Sequence, residues 1–189
     1  MTHDGAAKQQ IFPHIETPRI QLRPASAAAD GPAFYRLLLQ LGINTLPTQE
    51  DFVSAYCRDF AAYFAIRRRE EGDEIGFCAL FQLDPAGHVE VGVYTDPSRN
   101  GSSLGAEAAL LTINYAFAMW NIRKIYYRAS GASLPSIGGI VIDLARKEGL
   151  LPGHQYFRGQ LWDMHIFAIY REQWEAKGAG LVEHLAAGA

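Results

Sequence analysis

The stretch that decides the fold is VEVGVYTDPSRNGSSLGAEAALL, residues 89–111. An apolar strand with alternating side chains runs into a turn rich in Gly and Ser, and the turn opens directly onto a helix. The helix is predicted over 103–120 because its apolar residues recur at intervals of three and four, which places them on one face. The stretch therefore predicts a strand–turn–helix unit.

The start of this helix predicts an anion site. The first N–H groups of a helix have no partners within it, and that end carries a partial positive charge. Small residues let a ligand approach these groups closely. The donors are those of Gly101, Ser102, Ser103, Leu104, Gly105 and Ala106. Alternatively, Ser102 or Ser103 simply caps the helix. Neither a Walker motif nor GxGxxG is present, so the anion would be a phosphate of another kind.

The remaining pattern predicts a mixed α/β fold in the order β-α-α-β-β-β-α-β-α-β-β. Strands are predicted over 19–25, 62–69, 74–83, 87–96, 123–130, 152–158 and 161–170, and helices over 30–42, 48–60 and 103–120. Strand 87–96, helix 103–120 and strand 123–130 should form a right-handed parallel crossover. We therefore expect a central mixed sheet with helices on both faces.

Length and composition indicate one globular domain. The chain has 189 residues, of which 49% are hydrophobic and 20% charged. The domain is predicted over 16–175. The unpatterned segment 1–15 and the segment 176–189, which is rich in Gly and Ala, are predicted to be flexible.

Charge and cysteine content narrow the partners and the location. The net charge of −3 gives no basic excess, so we expect no nucleic-acid partner. No apolar run approaches the ~18 residues of a membrane span, and the N-terminus lacks a signal peptide's apolar segment, so no membrane association is expected. Only two cysteines occur, Cys57 and Cys78, and their spacing does not suggest a metal site. A reducing, cytoplasmic location is predicted.

The chain resembles the GNAT superfamily of acetyltransferases. That family's [QR]-x-x-G-x-[GA] motif is similar to residues 100–105, NGSSLG, with Asn100 in place of Gln or Arg, Ser103 in place of the first Gly, and Gly105 retained. The resemblance extends over 16–175. ETPRIQLRPAS (16–26), AEAALLTINYAFAMWNIRKIYYRAS (106–130) and EGLLPGHQYFRGQLWDMHIFAIYREQW (148–174) resemble the branch that acetylates ribosomal-protein N-termini and polyamines.

The resemblance implies that the turn binds the pyrophosphate of acetyl-CoA. The cofactor-binding residues it implies are Asn100, Gly101, Ser102, Ser103, Leu104, Gly105 and Ala106, with the backbone of Val91 and Val93 on the strand contacting the thioester. Acetyl-CoA would be a co-substrate, and no metal is implied.

The same strand would carry the catalytic base. Alternation places His88, Glu90, Gly92 and Tyr94 on one face and the valines on the other. Glu90 matches the family's frequent Glu two residues before a Gly, and would accept a proton from the amine directly or through water. His88 could do the same. A salt-bridged Glu90 and an exposed, inert His88 are the structural alternatives.

The following block departs from the family pattern. Ser133 falls on the position of the family's Asn and could hydrogen-bond a pantetheine amide, so it joins the candidate catalytic residues. The tyrosine that often protonates the leaving thiolate is replaced by an aliphatic residue near Ile140. The resemblance places the acceptor pocket between the first two helices and the last hairpin, with Tyr35, Tyr156 and Trp162 among its walls.

The leading hypothesis is an acetyl-CoA-dependent N-acetyltransferase that transfers acetyl directly to a primary amine, on a protein N-terminus or a small molecule. Two alternatives stay open. One is a catalytically weakened module that binds CoA or an acyl group, because the family motifs are altered. The other is an acyltransferase for a longer acyl-CoA. The exposed edge of the final hairpin would allow a homodimer.

Overall fold

The computed structural model describes residues 10–43, 45–99, 103–137 and 139–188, and within these ranges seven strands form one sheet in the order β1-β2-β3-β4-β5-β7-β6. The strands are β1 (Ile20–Pro24), β2 (Phe60–Arg68), β3 (Glu74–Asp84), β4 (His88–Thr95), β5 (Lys124–Ser130), β6 (Arg146–Phe157) and β7 (Gln160–Tyr170). The α-helices are α1 (Ala27–Gln40), α2 (Gln49–Ser54), α3 (Leu104–Met119), α4 (Gly139–Asp143), α5 (Arg171–Gln173) and α6 (Ala179–Ala187). A π-helical turn, Trp174–Gly178, joins the last two.

The sheet is mixed, as predicted. β4 pairs with β5 in parallel, and the other neighbouring strands pair antiparallel. Helices cover both faces. α3 and α6 pack on the core that contains Ile66, Leu80 and Ile125, whereas α1 and α2 pack on a second core around Phe34 and Phe77. The predicted fold class is confirmed.

Local signals explain where helices begin. α1 starts three residues earlier than the predicted residue 30, because Ser26 is its N-cap and accepts a hydrogen bond from the backbone N–H of Ala29 at 3.3 Å. Thr48 caps α2 in the same way, accepting from the N–H of Asp51 at 3.2 Å. Within the described residues, no helix is long and apolar enough to cross a membrane.

Described parts of the two end segments that were predicted to be flexible contact the core. Residues 1–9 lie outside the described residues, but Ile11 packs in the core and the Phe12 carbonyl accepts a hydrogen bond from the Asn114 side chain at 2.6 Å. At the other end α6 forms and fully buries Val182 against the α3 face. The small residues of segment 176–189 alone suggest a loose tail, but apolar contacts of α6 with the core support a helix there.

Arg171 and Trp174, at the end of the last block of the family resemblance, have a structural role. The guanidinium of Arg171 donates to the carbonyls of Phe117, Trp120 and Ile122, which satisfies backbone acceptors at the end of α3. Trp174 is fully buried and donates to the Asn114 side chain at 3.3 Å. Arg171 and Trp174 therefore hold the C-terminal half of α3 in place.

Candidate active site

β4 and β5 part midway along their length. Their parallel register covers four residues of each strand and ends where Val91 lies opposite Tyr127. β4 then continues to Thr95 in register with β3, and β5 continues to Ser130 in register with β7. The ends of two adjacent parallel strands thus diverge beside the start of α3, and this divergence is the geometric centre of the site.

The side chains of β4's valines point to the core face, so a ligand in this opening would meet mainly their backbone. The side chains of Val89 and Val91 are buried in the core beneath α3, and Val93 packs against the same core. The predicted contacts of Val91 and Val93 with a cofactor therefore rest on their N–H and C=O groups. That is the form in which the family resemblance implies them.

The first turn of α3 lies next to this opening along the chain. Asn100, Gly101 and Ser102 lie outside the described residues. Ser103 is the N-cap residue and has a left-handed backbone, with φ of +74°. Leu104, Gly105 and Ala106 form the first helical turn. A left-handed φ favours glycine, so Ser103 keeps the conformation that the family's Gly would adopt with ease.

An ionic network centred on the buried carboxylate of Glu107 holds Ser103. The side chain of Arg19 donates to the Oγ of Ser103 at 3.0 Å and, through Nε at 2.8 Å, to the carboxylate of Glu107. That carboxylate is 3% exposed and also accepts from the hydroxyl of Thr17. The network joins the segment just before β1 to the start of α3. Sequence reasoning missed it, although an acid in an otherwise apolar first turn was a usable signal.

The opposite face of β4 carries a cleft. It has a volume of about 250 Å³. Its lining residues are Asp59, Phe60, Phe81, Gln82, Glu90, Tyr94 and Arg128. Glu90 lies opposite Phe81 on β3 and Tyr126 on β5. The cleft therefore opens on the face that alternation assigned to Glu90.

Glu90 is half-buried and paired. Its Oε2 lies 3.1 Å from the Nε of Arg128, and its side chain is 24% exposed against 50% for the arginine. Arg128 is two residues beyond Tyr126, on the same face of β5, which is within the diagonal reach of a long side chain. Burial raises the pKa of Glu90, and the charge of Arg128 lowers it by less. The carboxylate is therefore easier to protonate than an exposed glutamate.

Backbone irregularities shape this cleft. Gln82 has a left-handed backbone, with φ of +52°, at the register shift between Phe81 and Asp84 in β3. A bulge of this kind re-aims side chains. Gly92 is required for space, because a Cβ there would lie 2.8 Å from the Phe81 ring and 2.9 Å from the Tyr94 ring. Gly92 thus lets two aromatic walls of the cleft approach β4.

His88 lies two residues from Glu90 but does not line the cleft. Its Nε2 is 3.7 Å from a carboxylate oxygen of Asp84, across the turn that begins β4, and its ring contacts that of Tyr126 at 5.3 Å. Ser133 forms a turn after β5, where its hydroxyl donates to the Ser130 carbonyl at 3.0 Å. Neither residue is among those that line the Glu90 cleft.

The three predicted acceptor-pocket residues are not among those that line the cleft. Tyr35 donates its hydroxyl to the Pro47 carbonyl at 2.9 Å. Tyr156 is 72% exposed near the end of β6. The indole of Trp162 donates to the Phe157 carbonyl at 3.1 Å within the closing hairpin. Instead, the aromatic rings beside Glu90 are those of Phe60, Phe81 and Tyr94.

A mixed seven-stranded sheet whose parallel pair parts beside the start of a central helix is the fold of the acyl-CoA-dependent N-acyltransferases. The chain belongs to one family of that class, the GNAT acetyltransferases, whose acetyltransferase domain matches residues 19–137. The predicted family and its N-acetyltransferase class are confirmed.

Individual relatives are distant. An uncharacterized N-acetyltransferase, p20, from Bacillus licheniformis is 27% identical over 112 residues, which are 59% of this chain and 63% of that protein. The chain thus spans less than two thirds of that curated relative. Spermidine N-acetyltransferase from Vibrio cholerae, solved with CoA and spermine, has a TM-score of 0.70 at 15% identity and covers 82% of this chain and 98% of its own. An acetyltransferase (GNAT family) from Bacillus anthracis has a TM-score of 0.63 at 19% identity, over 84% and 98%. These likenesses concern the fold.

Proposed function

We propose that the protein transfers an acetyl group from acetyl-CoA directly to a primary amine. The observation that carries this proposal is the placement of a half-buried glutamate, Glu90, on the strand that parts from β5. The parting provides backbone groups for a thioester on one side, and the cleft provides room for an amine on the other.

The residues that would hold acetyl-CoA fit an anionic, extended ligand. The N–H groups in the first turn of α3, with Ser103 before them, suit the pyrophosphate. The backbone of Val91 and Val93 suits the pantetheine end, because the side chain of Val91 is buried in the core and that of Val93 packs against it. When bound, acetyl-CoA supplies an activated acetyl group on a thioester.

Glu90 would take the proton that the acceptor must lose. An ammonium ion has no lone pair for attack, so its nitrogen must first be deprotonated. A general base works best when its pKa approaches the working pH, and burial raises the pKa of Glu90 in that direction. Arg128, at 3.1 Å, keeps the carboxylate oriented towards the cleft before the amine arrives.

Calorimetric titration with acetyl-CoA and with free CoA tests the cofactor part of the proposal. Micromolar binding, followed by thiol release on addition of an amine, is the expected result. Binding without thiol release for any amine would favour the alternative of a non-catalytic binding module. That module has support in the left-handed Ser103 and in the Ser133 hydroxyl, which is engaged with Ser130. Faster thiol release from a longer acyl-CoA would favour the third hypothesis.

Two further properties are proposed. A cytoplasmic location fits Cys78, a free thiol buried in the core, since unpaired cysteines persist in reducing compartments. A homodimer would form through β6, which lies at one edge of the sheet and has Leu150, Leu151 and Tyr156 exposed along it. Sedimentation at micromolar concentration tests the dimer, and a single monomeric species would rule it out at that concentration.

A further inference from the structure

We propose that the acceptor is a small amine that also carries a carboxylate, of the class of free α-amino acids with apolar side chains. This inference rests on the proposed function, because it assigns the acceptor of the same site. It is argued from the charges, the aromatic walls and the size of the Glu90 cleft.

The cleft presents both charges to a ligand. Asp59 and Glu90 supply carboxylates, and Arg128 supplies a guanidinium. An ammonium group would be attracted to the carboxylates. A carboxylate on the same molecule would be attracted to the arginine. A zwitterion is the simplest ligand that satisfies both.

The guanidinium of Arg128 has a second hydrogen-bonding edge, formed by its two terminal nitrogens. A guanidinium has five N–H donors in a planar fork and can bind carboxylates bidentately. Glu90 approaches the Nε side of this group, at 3.1 Å. The edge formed by the two terminal nitrogens points away from Nε, so it can bind a second carboxylate while Nε stays with Glu90. The side chain is 50% exposed and is therefore accessible to a ligand.

The aromatic walls and the volume of the cleft indicate the side chain and the size of the acceptor. Phe60, Phe81 and Tyr94 line the cleft, and the rings of the first two pack edge to face with centroids 4.8 Å apart, so they form one continuous apolar wall for an apolar side chain. The volume of about 250 Å³ lies below the ~300–1,000 Å³ of pockets for drug-sized ligands. A compact acceptor fits.

Other amine classes fit less well. A polyamine carries ammonium groups for Asp59 and Glu90 but no anion, so it would leave the terminal edge of Arg128 without an anionic partner. A peptide N-terminus has an amide where the amino acid has its carboxylate, so it would leave the second edge of Arg128 without an anionic partner. The arginine therefore discriminates among acceptors whose amines are otherwise alike.

The test compares leucine with leucinamide, isopentylamine and spermidine in a thiol-release assay, in the wild type and in Arg128→Gln. We expect the wild type to prefer leucine over leucinamide and isopentylamine in kcat/KM by about 10- to 100-fold, the factor that a charge-assisted hydrogen bond supplies. Arg128→Gln should remove most of this preference. The ratio between acceptors cancels any general effect of the substitution on Glu90.

A binding measurement separates this inference from the proposed function. N-acetylleucine and N-isopentylacetamide are the two matched products, and calorimetry should show tighter binding of the first, with the difference lost in Arg128→Gln. That result without any thiol release would support Arg128 as a carboxylate-binding residue of the cleft and contradict the transferase. Equal or better use of leucinamide, isopentylamine or spermidine would overturn the acceptor class and leave the transferase standing. Absence of both thiol release and selective binding would overturn both.

Discussion

Arg19 and Glu107 form an ion pair between residues 88 positions apart in the chain, and the same guanidinium donates to Ser103 at the start of α3. A single side chain thus satisfies a buried carboxylate and anchors the one left-handed residue described in this turn. The segment just before β1, far from α3 in sequence, therefore helps to fix the proposed phosphate site.

Arg19→Gln should lower the free energy of unfolding by about 1–3 kcal/mol. The loss is smaller than the ~3–5 kcal/mol for breaking a fully buried pair, because 49% of the Arg19 side chain is exposed. Chemical denaturation measures it. Arg99→Gln is the matched control, since the Arg99 side chain is 53% exposed and its Nε lies 3.6 Å from a carboxylate oxygen of Asp96, and such surface pairs contribute about 0–1 kcal/mol. Equal losses in the two variants would contradict a special role for the Arg19 network.

Glu90→Gln should lower turnover by about 10²-fold or more, the usual effect of losing a general base. CoA affinity should stay close to that of the wild type, because the amide has nearly the shape of the carboxylate and lies on the cleft face of β4. The comparison is His88→Gln on the same face, which lies outside the cleft lining and beside Asp84. A larger loss from the histidine variant would transfer the base role to His88.

The pH profile of kcat/KM should report the pKa of Glu90. The base works when ionised, so activity falls as the pH drops through this pKa. Burial raises the pKa, so the acidic limb should lie above the ordinary range of a glutamate. Arg128 lowers the pKa, so Arg128→Gln should move the limb to higher pH. A limb that does not move would show that another group controls it.

The same shift has a consequence for stability, with a definite sign. A carboxyl whose pKa is raised in the folded state favours folding while it is protonated, and this contribution is lost as the pH rises through the folded pKa. Glu90→Gln should therefore show a flatter dependence of unfolding free energy on pH over that window. Denaturation at several pH values measures it.

Gly105→Glu should abolish measurable CoA binding. The substitution adds bulk and a negative charge in the first turn of α3, where the pyrophosphate is proposed to bind. Gly180→Glu is the matched control, because Gly180 lies exposed in the first turn of α6, where an added Cβ would meet no atom within 4 Å. Retained CoA affinity in Gly105→Glu would place the pyrophosphate elsewhere.

Much of the fold could be predicted because periodicity is local. Alternation alone placed Val89 and Val91 inside and Glu90 on the opposite face of β4, as the structure has them. The helix α6 escaped prediction, since small residues such as Ala179 and Gly180 give a weak apolar pattern until Val182 meets the core.

The composition of the cleft depends on register between distant strands, which no local pattern specifies. Arg128 reaches Glu90 because Glu90 lies opposite Tyr126. Phe81 reaches the cleft because it lies opposite Glu90 on the neighbouring strand β3. A shift of one residue in either pairing would turn these side chains to the α3 face, and Glu90 would lose its partners.

The short ladder between β4 and β5 also affects how the protein unfolds locally. β2, β3 and β4 form an antiparallel meander of neighbours in sequence, and β6 and β7 form a hairpin, but only four residue pairs join β4 to β5. We expect native-state hydrogen exchange to show two cooperative units that separate along this line, with α3 bridging them. Acetyl-CoA bound between β4 and β5 would then slow amide hydrogen exchange in both units, because the ligand would contact both.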